Sequence, residues 1–541
     1  MAKLYMNATF VTMEDENSVA EAVVVAEDGT LAFVGNLDEA KQASPEAEVI
    51  DLEGKVVLPG LIDPHSHFSG VSRYVLFADL SECTCFDDIC EKLNEFAEER
   101  NIDEKGIILG QGYDQNFLDE QCHPTRDVLD TVSTTIPVAI LHCSGHMAVI
   151  NSKFLELADI KEGSVAPEGG RYGYYEGTKM PDGYIEELAA LLPINQITLS
   201  RQTIDVVSMC HQMQLEYLSH GITTCQEGAT TYADEKLYTM LANQGLINID
   251  VVSYPMYGEN IDEIYTEFAE YDSAEYHNHW RLGGVKMFLD GSPQGLTAWM
   301  TEPYTEGPAG EKDYVAYGTM TDEDATAYIK AAIDAHRQVL CHVNGDAAAD
   351  QYLRCYEAAY DLSDNPKKSE LRPVMIHCQT TRRDQYEEMA KIGMIPSIYA
   401  SHIWYWGDIH VKNFGPVRGN RISACADAVD CGLPFTLHTD TPILHANLLE
   451  AVWCAARRVT RTGVQLDTNQ CVSVFDALKA VTINAAYQYG EEETKGTLSV
   501  GKLADMVVLD KNPLTVDVDE IKAITVLQTI KEGKVVYNAA E

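Results

Sequence analysis

A chain of 541 residues, 45% apolar and 23% charged, can hold two or three domains around a sizeable buried core. Its 84 acidic and 39 basic residues give a formal charge of −45, which repels phosphate backbones and anionic lipid and argues against nucleic-acid or membrane-surface binding. No run reaches the ~18 uncharged apolar residues of a spanning helix, no signal-peptide core opens the chain, and the fourteen cysteines read as reduced thiols, all pointing to a cytoplasmic protein.

The first predicted elements are two strands joined at Asp28-Gly29 in AVVVAEDGTLAFVG, a hairpin signal. The run VVLPGLID (56–63) then opens a longer series of strands and ends in His65-Ser66-His67. Residues 70–200 are too many for one strand–helix unit. They contain helix-like text such as FDDICEKLNEFAEER, where Phe86, Ile89, Leu93 and Phe96 share a face. This segment reads as an inserted subdomain, or lid.

From Gly221 onward, short apolar runs alternate with helical patterns: GITTCQEG, INIDVVSYP, GGVKMFLDG, QVLCHVNGD, PVMIHCQT, GMIPSIYAS and LPFTLHTDTP. Strand and helix repeated about eight times predict a (β/α)8 barrel over 56–495. Glu491-Glu492-Glu493 reads as a solvated face. The closing ADMVVLD and VLQTIKEGKVVYN, with a turn at Glu532-Gly533, mirror the beginning. Residues 1–55 and 496–541 therefore predict one small β-sandwich domain built from both termini.

In a barrel of this kind chemistry sits at the C-terminal ends of strands. His65 and His67, His342, His377 and Asp440 end their runs, and Lys286 lies inside another. In a strand, residues i and i+2 face the same way, so His65 and His67 point together as one edge of a metal site. Lys286, flanked by Val285, Met287, Phe288 and Leu289, is costly to bury as an unpaired ammonium. Two escapes are open: carboxylation to a carbamate with two oxygen ligands, or pairing with a carboxylate such as Asp290 or Glu227.

PGLIDPHSH, GGVKMFLDGS, CHVNGD, MIHCQ and HTDTP, in this order, resemble the amidohydrolase superfamily, as does ALKAVTINAAYQYGEEETKGTLSVGKLADMVVLDKNP. The resemblance covers nearly the whole chain and is nearest to the subgroup with a large insertion after the first strand, which includes N-substituted formamide deformylases. It implies a (β/α)8 barrel beside a small β domain, with one or two divalent metals, usually zinc. His65 and His67 would hold one ion, carboxylated Lys286 would bridge, His342 and His377 would hold the second, and Asp440 would contact the attacking water. The chain departs from the subgroup in DGSPQGLTA, without an early arginine, and in HTDTP, which brings His438 beside the aspartate.

The expected activity is hydrolysis of a C–N bond in a small molecule, with Asp440 as general base and then acid. His146, in CSGHMAVINS, matches a subgroup motif and would reach the substrate; Asn151 would cap structure. His402, Trp404 and Trp406 follow the seventh strand and either hold an apolar group of the substrate or pack their loop onto the barrel. A ring-amidine deaminase, a lactone or ester hydrolase and a non-enzymatic regulator are the competing readings. A homodimer is left open.

Overall fold

Both ends of the chain are strands, and they pair with each other. In the computed structural model, which describes all residues except 116, 143–146, 168–169, 187, 202–204, 259 and 541, they form one seven-stranded sheet. Its order is Lys534–Asn538, Val526–Lys531, Met506–Leu509, Glu48–Pro59, Lys3–Val11, Val19–Val25 and Leu31–Gly35. Both hairpins turn where expected, with Val24 opposite Phe33 and Thr529 opposite Tyr537. Alternation sends Tyr5, Val23, Val25, Val57, Met506, Val508 and Ile530 into one core, and Leu4, Ala22 and Val24 into another with Ala40. Among the described residues the two ends build one continuous hydrogen-bonded sheet.

The run 56–62, read above as one strand, is shared between two sheets. Val57 pairs with Val508 of the terminal sheet, whereas Leu61 pairs with Ile222. Gly60 separates them, and a Cβ there would lie 2.5 Å from Thr223 Oγ1, so only glycine lets the chain pass this close.

Residues Met1–Gly70 and Met213–Glu541 form one compact unit, and its remaining strands are parallel. Leu61–Ile62, Ile222–Thr230, Asp250–Pro255 and Trp280–Leu282 form a sheet of four. Gly284–Phe288, Gln338–Val343, Val374–His377, Ile395–Ile398 and Thr436–Leu437 form a sheet of five. A bridge between Met256 and Lys286 joins the two. No ladder closes Thr436–Leu437 onto Leu61–Ile62 among the described residues. Two backbone bonds cross there instead: Asp440 N to the His65 carbonyl at 3.1 Å and His67 N to the Thr441 carbonyl at 2.7 Å.

Helices follow the strands with capped starts. Tyr232–Asn243 begins at a capping box of Thr231 and Asp234, and Asp322–Asp334 at Thr321. On the first of these helices Glu235 is fully buried, accepting from Thr230 at 2.7 Å, Trp280 at 3.1 Å and Ser253. Burial pushes its carboxyl up to about 7. A folded-state value above the unfolded one gives stability that is present below pH ~4.5 and lost as pH rises through ~7. Wild type is expected to lose roughly 3 kcal/mol at this group over that window. Glu235→Gln should flatten that part of the profile, measured as urea unfolding at pH 5 and pH 8; equal slopes in the two proteins would refute it.

Residues Val71–Gln212 form a second compact unit. The helix-like text of this segment predicts at least one helix and says nothing of a sheet, yet the unit is built on a six-stranded sheet. Its order is Arg171–Tyr174, Pro181–Glu186, Met147–Ile150, Val138–His142, Ile108–Tyr113 and Ala78–Asp79. The helix Phe86–Glu99 does form, and buries Ile89, Leu93 and Phe96 against Leu80, Ile108 and Ile140. Asn151 caps the helix Ser152–Leu157 by accepting from Phe154 N, and also accepts from Val138 N. No described helix in either unit is long and apolar enough to cross a membrane.

Candidate metal centre

Five histidine rings gather at the C-terminal ends of the parallel strands. His65 lies 5.2 Å from His67, 5.5 Å from His377 and 5.3 Å from His438, centroid to centroid, and His342 lies 4.5 Å from His377. The two backbone bonds between 65–67 and 440–441 press Asp440 against this cluster. Asp440 Oδ1 is 3.4 Å from both His65 Nε2 and His67 Nε2. Asp440 and His377 both have left-handed backbone, with φ of 55° and 80°. Such strain in non-glycine residues persists where the surroundings enforce it, and it concentrates at functional sites.

Each ligand-type atom has a traceable orientation. His65 Nδ1 donates to Gln226 Oε1 at 2.6 Å, and Gln226 is itself fixed by Pro64 O and the Tyr489 hydroxyl. His65 Nε2 therefore carries a lone pair. It faces Lys286 Nζ at 3.1 Å and Asp440 Oδ1 at 3.4 Å. His342 Nδ1 meets His377 Nε2 at 3.0 Å. His67, His342 and Asp440 keep 28%, 18% and 13% of their side-chain surface, so these three open the site to solvent, whereas His65 and Lys286 lie beneath.

Burial dominates the electrostatics. It lowers His65 and His377 well below the ordinary histidine value, lowers His342 to about 4, and is reinforced by neighbouring cations. These rings are neutral near pH 7, the form that ligates a metal. Burial lowers Lys286 to about 8. Burial also pushes Asp440 up, but its bond to His67 and the electrostatic environment of the neighbouring histidines and Lys286 outweigh that and hold the carboxyl low.

The donor set fits a divalent cation. One atom each of His65, His377 and Asp440 lie mutually within 4.8 Å. The proton of His65 is committed outward, so its inward lone pair, which meets Lys286 Nζ at 3.1 Å, and the Asp440 carboxylate 3.4 Å away lie side by side as two atoms able to ligate a cation. A second triad, Asp250, His279 and Glu532, has similar spacing. Its Asp250 is already paired with Lys495 at 2.6 Å, Lys531 at 2.7 Å and His279 at 2.7 Å, so the charge of its buried carboxylate is balanced without an ion.

All six expected ligands thus lie on this one rim, Lys286 through His65 Nε2 and not through a carboxylate. Asp290 takes neither lysine nor ligand role; its oxygens accept from Trp299 N, Asn344 N and Gly345 N. Glu227 accepts from Ser69 N and lies 3.9 Å from His67 Nδ1. His402 is buried, 3.1 Å from His410 Nε2 through its Nδ1 and against Trp406 at 4.5 Å. Trp404 turns elsewhere: it packs edge-on to Trp453 at 5.2 Å with Lys522 over its ring, the loop-packing alternative. His146 lies outside the described residues. Gln226 escaped the sequence reading; its only signal was a polar residue near the end of an apolar strand.

Parallel strands with helical crossovers and a histidine–carboxylate rim at their C-terminal ends are the arrangement of a metal-dependent hydrolase, and the family to which the chain belongs is one of hydrolases. The profile of the amidohydrolase family matches residues 48–537, and the chain belongs to that family, acting on C–N bonds. It is 27% identical to N-substituted formamide deformylase of Arthrobacter pascens over 99% of this chain and 98% of the relative. It is also 26% identical to the protein LONG AFTER FAR-RED 3 of Arabidopsis thaliana, over 99% and 91%. The structure of an uncharacterized metal-dependent hydrolase from Pyrococcus horikoshii shares the fold, with a TM-score of 0.75 at 23% identity, covering 96% of this chain and 99% of that one.

Proposed function

We propose that the protein hydrolyses the amide-type C–N bond of a small molecule: an N-substituted formamide, an N-acyl compound or a cyclic amide. The observation carrying this reading is the pair of acceptors, His65 Nε2 and Asp440 Oδ1, held 3.4 Å apart with the proton of His65 directed away. The similarity to a formamide deformylase favours the formamide within this class. The same reading takes the two parallel sheets as arcs of one (β/α)8 barrel, supported by the backbone bonds that cross from 440–441 to 65–67.

His65, His67, His342, His377 and Asp440 would hold one or two divalent ions, zinc in our reading. When bound, such an ion supplies a lowered pKa for water and polarises the substrate carbonyl. Asp440 Oδ1, ionised and partly exposed, takes the proton of the attacking water and returns it to the leaving nitrogen. Lys286 would be carboxylated: CO₂ adds to the neutral amine, an N–C bond forms and one proton leaves. Burial makes this accessible, since a value of about 8 leaves roughly a tenth of the amine neutral at pH 7. His402 and Trp406 would form the wall for the apolar part of the substrate.

The test is metal content per chain after purification in bicarbonate, combined with turnover on a panel of N-substituted formamides, N-acyl amines, cyclic amides and lactones. Close to two ions with formamide or amide turnover is expected, and Lys286→Ala should bring the content down. Turnover of lactones alone, or a chain that takes up no ion, would overturn the proposal.

A further inference from the structure

We propose that His438 is a positioning residue that fixes the tautomer of His377 and so turns His377 Nε2 into a ligand atom; this rests on the metal reading above. His438 is fully buried at the end of the Thr436–Leu437 strand. Its Nε2 lies 3.2 Å from His377 Nδ1 and its Nδ1 lies 2.8 Å from Ser397 Oγ. Tyr399 at 5.0 Å and His65 at 5.3 Å pack against its ring, so it has little room to turn.

A neutral imidazole carries one proton, so each ring in this line donates through one nitrogen and accepts through the other. With His438 Nδ1–H donating to Ser397 Oγ, His438 Nε2 becomes an acceptor and receives the Nδ1 proton of His377. His377 Nε2 is then left with its lone pair, aimed into the cluster toward His342 Nδ1 at 3.0 Å. The opposite sense, with Ser397 donating, would put a proton on His377 Nε2 and spoil it as a ligand. A hydrogen-bond partner on the far nitrogen of a ligating histidine is the usual means of fixing its orientation and raising its basicity. His65 already shows that arrangement, with Gln226 in the outer place.

The experiment uses the full chain loaded with Co²⁺ in bicarbonate, its retention measured against a competing chelator and its visible spectrum recorded. His438→Leu is expected to weaken cobalt retention 10–100-fold and to change the ligand-field bands. His438→Gln, whose amide oxygen can still accept from His377 Nδ1, should return retention to within a few-fold of wild type. Should His438→Leu fail to fold, His438→Asn, with an amide too short to reach, takes its place and is expected to behave as the leucine variant would. Retention within two-fold of wild type in the leucine or asparagine variant would overturn the proposal. So would equal loss in the glutamine variant, which would mark a packing role. A wild-type chain that retains no cobalt would sink the metal reading as well, whereas normal wild-type loading with an indifferent His438→Leu sinks this proposal alone.

Discussion

Asp440→Asn is expected to cut turnover roughly 10²–10⁴-fold while leaving metal content and melting temperature close to wild type. The substitution keeps the shape and one acceptor oxygen, so the contacts at 3.4 Å to His65 and His67 can persist. What it removes is the capacity to take a proton. The wild-type carboxyl is held low despite its burial, so it enters the reaction ionised at neutral pH. The comparison is His377→Ala, which removes a ligand and should lose ion and turnover together. Turnover of Asp440→Asn near the wild-type rate, on whichever amide the enzyme prefers, would show that another group handles the proton. Glu227 would be the next to test, because it lies on the other side of His67.

The site was more legible in the sequence than the fold that carries it. A polar residue at the end of an apolar run is unusual, and the same event at successive runs leaves little choice but a shared rim; His65, His67, His342, His377 and Asp440 are legible that way, and Lys286 as a lysine inside an apolar run. Sheet boundaries carry no such mark. Val56–Pro59 and Leu61–Ile62 are equally apolar because both are buried, and only the crowding of Gly60 against Thr223 divides them between two sheets. The sheet of the Val71–Gln212 unit was hidden for a related reason. Its strands are short and carry glycines and polar residues, as in Arg171–Tyr174 and Pro181–Glu186, and the amphipathic helix at Phe86–Glu99 drew attention instead. Trp404 shows the limit of reading a loop by residue type: an aromatic placed after a strand can as well hold helices together as face a substrate.

Lys531→Met is expected to lower the unfolding free energy by about 3–5 kcal/mol, because it breaks a buried, charge-balanced network. The acidic triplet expected to be solvated is the clue. Glu491 is buried between Arg281 and Lys495, each at 2.7 Å, and accepts from the Tyr276 hydroxyl, while Glu492 pairs with Arg372 at 2.6 Å. Lys495 continues to Asp250, which also binds Lys531, and Lys531 reaches Asp505 at 2.8 Å. Three cations thus face three carboxylates, and the chain of pairs ties the terminal sheet, through Asp505 and Lys531, to the parallel strands carrying Asp250 and Arg281. Burial works against both lysines, yet their carboxylate neighbours hold them above the ordinary lysine value, and Asp250 is held well below that of an ordinary carboxylate. Removing Lys531 leaves Asp250 and Asp505 with one cation too few in a place water does not reach. Lys531→Met combined with Asp505→Asn restores the balance of charge and should recover much of the loss, since neutral replacement of a whole buried pair costs far less than removal of one partner. Urea midpoints of the single and double variants decide the matter. A single variant within about 1 kcal/mol of wild type would mean the network is solvated after all, and a double variant no better than the single would mean the loss came from packing and not from charge.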